Sequence, residues 1–142
     1  MQRSIMRELA FKLIYETEMQ KQLEANQLEI FFENNEIEDE EVKLYLRDIR
    51  VGIETEKEEI ENLITKNLKN NWSLERISKV NLSLIKIAIY EMLYKNLPYK
   101  VAINEVVELA KKYSDEAAPQ FINGILASVV KERNLNGENN EA

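Results

Sequence analysis

The pattern of apolar and polar positions centres on residues 80–93, VNLSLIKIAIYEML, whose apolar side chains point around most of a helical cylinder. A helix that is apolar nearly all round is covered by other helices. With 14 residues, and with Lys86 and Glu91 inside it, the segment is too short and too polar to cross a bilayer. Its β-branched residues also suit a buried strand, but the flanking segments are helical and the sequence offers no second strand to pair with it. We therefore predict an all-α fold around a central apolar helix.

Two patterns overlap on a first helix, which is predicted over residues 2–23. Apolar positions at helical spacing predict a buried face made of Ile5, Met6, Leu9, Ala10, Leu13 and Thr17. Ser4 flanks a second line of residues, four apart, which runs through Arg3, Arg7, Phe11 and Tyr15. Guanidinium groups and aromatic rings on one line suit RNA, which offers phosphates and unstacked bases. The alternative is that the rings pack beneath a neighbouring loop and the arginines are ordinary surface residues.

Four further helices follow from the spacing of apolar residues and from helix-breaking signals. A short second helix covers residues 27–33, and a long acidic third helix runs from about residue 40 to 68, with a bend or break at residues 52–56. The central helix stops before Pro98, whose ring disfavours helix at the preceding residue. A fifth helix then precedes Ser114, and Ser114 and Asp115 can cap a sixth. These helices leave short connections, which is typical of a compact helical domain.

Three residues outside the apolar pattern carry specific expectations. Gly124 lies in the middle of the sixth helix, where glycine is unfavourable, so we expect another backbone to approach closely there. Asn123 beside it should then need buried hydrogen-bond partners. Trp72, between the third and central helices, is expected to plug the end of the bundle.

Length and composition bound the domain count and the available chemistry. The 142 residues suit one domain over residues 1–133, followed by a polar tail, residues 134–142, that is expected to be disordered. The chain has no Cys and no His, which removes thiolate chemistry, the commonest general base and the commonest neutral metal ligand. We therefore expect no enzymatic activity, no metal and no cofactor. The N-terminus lacks an apolar signal core, so a cytoplasmic location is expected.

Charge is segregated along the chain. The net charge of −7 argues against binding nucleic acid without regard to sequence. Residues 24–61 carry 14 acids and 4 bases, whereas residues 62–113 carry 9 bases and 4 acids. Any contact with nucleic acid should therefore be local. The acidic run at residues 54–61 is expected to be a solvated helix face and not a metal site.

Three segments, in order and spacing, closely resemble the NusB family of bacterial transcription antitermination factors. They are RSIMRELAFKLIY at the N-terminus, LIKIAIYEM ahead of Pro98, and the pair VAINEVVELAKKY and FINGIL near the end. The resemblance covers essentially the whole chain, although the acidic third helix matches by length more than by letters. It implies a compact fold of about six to seven helices in two small three-helix bundles.

The resemblance also implies partners and a function without catalysis. Family members bind NusE, which is also a small-subunit ribosomal protein, and the single-stranded boxA element of nascent RNA, within an RNA polymerase antitermination complex. By position, the resemblance assigns RNA contacts to Arg3, Ser4, Arg7, Lys12, Tyr15, Gln120 and Phe121. It assigns contacts with the protein partner to Asn81, Tyr90, Glu91, Asn104 and Glu105.

Some alternatives stay open from the sequence. Relatives commonly carry more arginines at the start, so RNA binding here should be weaker and less dependent on salt. An adaptor that binds NusE, with little or no RNA binding of its own, is therefore the main alternative. Asn104 and Asn123 also suit structural roles at helix ends. An exposed apolar patch left for NusE could support a homodimer as well.

Overall fold

A computed structural model describes residues 2–20 and 25–135 of the chain. These residues form a short 3₁₀ turn, Leu74–Arg76, and seven α-helices: α1 (Arg3–Met19), α2 (Gln27–Asn34), α3 (Glu40–Thr55), α4 (Lys57–Lys66), α5 (Lys79–Tyr94), α6 (Tyr99–Tyr113) and α7 (Ala118–Glu132). The predicted all-α fold is therefore confirmed. Within the described ranges, every helix is too short or too polar to cross a membrane. The expected disorder of residues 134–142 stays a prediction, because residues 136–142 lie outside the described part.

Helix α5 lies at the centre of the fold. Every position from Asn81 to Met92 is buried, and the helix contacts α1, α3, α4, α6 and α7. Its N-terminus is capped by Ser78, whose Oγ accepts a hydrogen bond of 3.1 Å from the backbone N–H of Asn81. Asn96, with a φ of 56°, turns the chain beyond its C-terminus. An almost wholly apolar segment is thus enclosed on all sides by the amphipathic helices around it.

The remaining helices form two groups that share α5. Helices α1, α3 and α5 pack against one another, and α5, α6 and α7 form the second group. Helix α4 packs on α5 and α7, and α2 buries Phe31 and Phe32. The expected arrangement of two small three-helix bundles is confirmed. The third helix of the sequence prediction is divided at Glu56, within the range where a bend or break was expected.

A close approach at a glycine occurs on α3 and not on α7. A Cβ placed on Gly52 would overlap the ring of Tyr90, which is buried and donates a hydrogen bond of 3.0 Å to Asp48. A Cβ placed on Gly124 would meet no heavy atom of the described residues within 4 Å. The expectation for Gly124 is therefore wrong. The expectation for Asn123 is wrong too, because this side chain is exposed.

Helix α1 differs from its prediction in length and in the face that it buries. It ends at Met19, because Gln20 is extended with a ψ of 132°; residues 21–23 of the predicted helix lie outside the described residues. Its buried residues are Met6, Arg7, Ala10, Phe11, Leu13 and Ile14. Ile5, expected in the core, is 48% exposed. Trp72 is also 46% exposed, so it lies at the surface and does not plug the bundle.

Candidate functional site

The outer side of α1 carries most of the RNA-binding candidates. Arg3, Ser4 and Lys12 are exposed, and Tyr15 is half-buried. The ring of Tyr15 lies 6.0 Å from the ring of the buried Phe11, which supports it from below. The helix therefore presents two cations, a hydroxyl and part of an aromatic ring to solvent, a combination that single-stranded RNA can use.

Arg7 is not part of this exposed surface. Its side chain is 4% exposed and donates hydrogen bonds to Glu91, from Nε at 2.8 Å and from Nη2 at 3.1 Å. Its Nη1 donates to Glu105 at 3.2 Å. Burial opposes the charge, but the hydrogen bonds and the nearby charge of Glu91 outweigh it and raise the pKa of Arg7 above its ordinary value. A phosphate could reach this guanidinium only if its ion pairs opened, which corrects the expectation that Arg7 lies on the surface beside Arg3.

A contact at Glu8 joins α1 to the end of α6. The carboxylate of Glu8 accepts a hydrogen bond of 2.7 Å from Lys112 Nζ and another from the hydroxyl of Tyr113. These two bonds lower the pKa of Glu8. The rings of Phe11 and Tyr113 lie 4.9 Å apart beneath this contact. Lys112 is thereby held beside α1 and adds a cation that was not among the predicted site residues, although its position in the last turn of α6 was visible in the sequence.

Helix α7 contributes the other two RNA-binding candidates. Gln120 is exposed, and Phe121 is half-buried with its ring 5.7 Å from the ring of Trp72, at an angle of 39°. The loop before α7 is tied to α5, because Ser114 Oγ donates a hydrogen bond of 2.8 Å to Asn81 Oδ1. Because α6 ends beside Glu8, the short loop from α6 carries the chain from the edge of α1 to the start of α7.

The candidates for partner contacts divide into buried and accessible residues. Asn81, Tyr90 and Glu91 are buried on α5 and are engaged in hydrogen bonds within the protein. Glu105 is half-buried and accepts the hydrogen bond from Arg7 described above. Asn104 is exposed and lines a mainly apolar groove of about 530 Å³ between α6 and α7. A role for the buried residues in partner binding would therefore be indirect, through the position of α5, and all five assignments stay predictions.

The acidic residues are arranged as a solvated surface and as partners of lysines. In residues 2–20 and 25–135, no group of three or more acidic, His or Cys side chains is placed to hold a metal ion. Glu54, Glu58 and Glu59 are exposed, as expected for a solvated face. Glu61 accepts a hydrogen bond of 2.7 Å from the buried Lys86, which also donates to Glu18 at 2.6 Å. This part of the acidic run therefore has a role in packing.

Comparison with known proteins identifies the family. The NusB family model matches residues 4–131. The chain belongs to the NusB family. The transcription antitermination protein NusB of Acetivibrio thermocellus is 43% identical to it over 142 residues, which covers 99% of this chain and 97% of the relative. The family expected from the three sequence segments is therefore confirmed.

Solved NusB structures share the fold. The structure of T. maritima NusB matches with a TM-score of 0.83 and 33% identity, covering 93% of this chain and 92% of that chain. A chain from a crystal structure of the antitermination factors NusB and NusE in complex with double-stranded RNA matches with a TM-score of 0.82. At 24% identity, over 92% of this chain and 96% of that chain, the second match shows a common fold.

Proposed function

We propose that this NusB family member is a transcription antitermination factor that binds NusE and the boxA element of nascent RNA within an RNA polymerase complex. The observation that carries the proposal is the match to a family of antitermination proteins along nearly the whole chain, at 43% identity to one of its members. A binding function without catalysis also suits a chain without His or Cys, in which every RNA-binding candidate except Arg7 is at least partly exposed.

We propose that RNA contacts this protein along α1 and the start of α7. Arg3 and Lys12 bind phosphate, with Ser4 as an additional donor, and Tyr15 and Phe121 stack on bases, with Gln120 at the edge of the surface. Lys112, held beside α1 by Glu8, adds to the positive charge. Arg7 acts indirectly, because its ion pairs hold α1 against α5 and α6.

NusE, in this proposal, contacts the outer side of the α5–α6–α7 group. Asn104 is an accessible polar residue in the apolar groove between α6 and α7, together with Lys100, Asn123 and Lys131, and Glu105 lies beside it in sequence. Asn81, Tyr90 and Glu91 would support this surface from beneath by fixing α5. An apolar groove with polar groups at its edge is a common setting for protein association.

An adaptor that binds NusE without RNA is the second candidate function. The burial of Arg7 favours it, because only Arg3 of the two N-terminal arginines remains exposed. Each phosphate contact that is lost weakens binding and lowers its dependence on salt. The net charge of −7 acts in the same direction.

Fluorescence anisotropy of a labelled boxA RNA, titrated with the protein at two salt concentrations with and without NusE, separates the two functions. The antitermination proposal predicts RNA binding that NusE strengthens and salt weakens. Arg3→Ala and Lys12→Ala should each weaken it and reduce the slope of log K against log salt by about 1. Lys57→Ala on α4 is the charge-matched control. Binding of NusE with no RNA binding in any condition would support the adaptor, and failure to bind either would overturn the proposal.

A further inference from the structure

A cleft between the end of α4, the following loop and α7 lies beside the RNA-binding candidates. It has a volume of about 620 Å³, within the ~300–1,000 Å³ range of ligand pockets. Its principal lining residues are Lys69, Trp72, Gln120, Phe121, Gly124 and Ile125. Gln120 and Phe121 are already candidates from the family resemblance, but Lys69, Trp72 and Gly124 are not. The cleft is thus continuous with the proposed RNA surface. It extends that surface to residues to which neither the sequence nor the family comparison assigns a role in RNA binding.

The walls of the cleft are aromatic and only partly covered. Trp72 and Phe121 are tilted by 39° at 5.7 Å, so the rings are not stacked flat on each other. The side chain of Trp72 is 46% exposed to solvent. An exposed tryptophan beside a second ring offers apolar area and a π-face to a planar ligand. Unstacked bases of single-stranded RNA are planar groups of this kind.

One lining position of the cleft, Gly124, has no side chain. A side chain begun at this position would extend into space that no heavy atom of residues 2–20 and 25–135 occupies within 4 Å. Glycine lowers helix stability in the middle of a helix, and no packing contact in the described structure requires it here. A larger side chain at this position would occupy part of the cleft.

We propose that this cleft receives one unpaired base of the bound RNA, which stacks on Trp72 and Phe121 above Gly124. Charge favours RNA over an apolar protein segment, because Lys69 is the one charged residue among the lining residues in the described chain. Its ammonium group can meet the phosphate next to the inserted base, and the exposed Gln120 amide can donate to or accept from the edge of that base. This inference rests on the proposed function, since it assigns part of the same RNA surface.

Trp72 is the only tryptophan in the chain, so its fluorescence reports directly on the cleft. Single-stranded boxA RNA is titrated into the protein and into the protein–NusE complex, and tryptophan emission is recorded with a NusE variant that lacks tryptophan. Stacking of a base on Trp72 should quench the emission. The titration is repeated with a series of RNAs that each carry one abasic nucleotide at a different position. The quenching should be lost for only one position of the abasic nucleotide.

Variants test whether the cleft contributes to affinity. Trp72→Ala should weaken RNA binding about five- to 150-fold, the range measured for loss of one stacked base, and Trp72→Phe should weaken it less. Gly124→Leu places a side chain in the cleft from an exposed helix position and should also weaken RNA binding. Gly124→Ala should weaken it less than Gly124→Leu. Asn62→Leu places the same new side chain at an exposed position of α4 and should change affinity by no more than about twofold. Circular dichroism establishes that each variant is folded.

The outcomes separate this inference from the function on which it rests. Quenching that depends on one nucleotide, together with weaker binding by Gly124→Leu, supports the base-binding cleft. RNA binding of wild-type strength by Gly124→Leu, with unchanged Trp72 emission, overturns the cleft and leaves the antitermination function in place. A change in emission caused by NusE alone assigns the cleft to the protein partner and also overturns the inference. Absence of RNA binding by the wild-type complex would remove both proposals together.

Discussion

Arg7 and Glu91, which are 84 positions apart in the sequence, form a two-pronged ion pair in the protein interior, with distances of 2.8 and 3.1 Å. Both side chains are less than a tenth exposed. The hydroxyl of Tyr45 donates a further hydrogen bond to Glu91 at 3.3 Å, and Glu105 accepts one from Arg7. The Arg7–Glu91 pair, with Tyr45 and Glu105 hydrogen-bonded to it, therefore connects α1, α3, α5 and α6.

Removal of Arg7 should destabilise the protein strongly. Arg7→Ala leaves the carboxylate of Glu91 buried without its cation, and the expected loss is about 3–5 kcal/mol in the free energy of unfolding. Arg7→Ala combined with Glu91→Leu should recover part of the loss, because no buried charge remains. Urea denaturation measures both. Arg3→Ala, at an exposed position, should change stability by less than about 0.5 kcal/mol; equal effects at the two arginines would contradict the buried pair.

This difference affects how RNA-binding data are read. A variant that lacks both Arg3 and Arg7 would lose RNA binding either through the missing phosphate contact or through a displaced α1. Arg3→Ala alone removes an exposed cation and leaves the ion pairs of Arg7 in place, so it is the cleaner test of the RNA surface.

The same substitution at two glycines should change stability in opposite directions. Gly52→Ala forces the ring of Tyr90 away from Asp48, and the strain of about 1–3 kcal/mol should exceed the gain in helix propensity. Gly124→Ala meets no such obstacle among the described residues and should stabilise the protein by up to about 1 kcal/mol. Thermal unfolding of the two variants beside the wild type compares them directly. A second readout is the pKa of Tyr90, which burial and Asp48 raise to about 12 and which should fall if the ring is displaced.

Lys86 should contribute to stability through its charge as well as its volume. Its ammonium group is buried between Glu18 and Glu61, at 2.6 and 2.7 Å. Lys86→Ala leaves a cavity and two neighbouring carboxylates without a cation, with an expected loss of about 2–5 kcal/mol. Lys86→Met keeps most of the volume and should lose less. Addition of Glu61→Gln to Lys86→Met should restore some stability, since it removes the repulsion between the carboxylates; a purely additive double variant would exclude that repulsion.

Glu8 should make stability depend on pH on the acid side. Hydrogen bonds from Lys112 and Tyr113 lower its pKa in the folded protein below the ordinary value of 4.5. The contribution of Glu8 is therefore present above the pKa of the unfolded chain and is lost as the pH falls through the lower pKa of the folded state. Glu8→Gln should be less stable than the wild type near pH 7, and the difference should shrink as the pH falls below the pKa of the unfolded chain. Urea midpoints across this range measure it, and Glu58→Gln, at an exposed position on α4, should show no such trend.

The sequence predicted the helical class and the central helix well, because both depend on long apolar patterns. Residues 80–93 are apolar around most of the helix, and a helix of this kind is stable only when other helices cover it. The break near Glu56 was also visible, since the apolar stripe of the third helix is interrupted there. Periodicity was sufficient wherever burial followed from apolar character alone.

Periodicity failed where burial depends on a distant partner. Arg7 was placed on one line of α1 with Arg3, separate from the predicted buried face, but Glu91 and Glu105 make its burial favourable, and the buried face of α1 includes it. The two glycines show the same limit. The ring of Tyr90, on another helix, leaves no room for a side chain at Gly52, whereas no heavy atom of the described residues approaches a Cβ at Gly124, and neither fact can be seen in the sequence.

The distance in sequence between α1 and its central partner has a consequence for synthesis on the ribosome. At roughly 5–20 residues per second, about 4–17 s separate the translation of Arg7 from that of Glu91. Throughout this interval the apolar side of the N-terminal segment lacks the helix that covers it, and the guanidinium lacks its main counter-ion. Closure of the domain must therefore wait until well over half of the chain has been translated, so a nascent chain stalled before the central helix is the species in which we expect aggregation or chaperone binding.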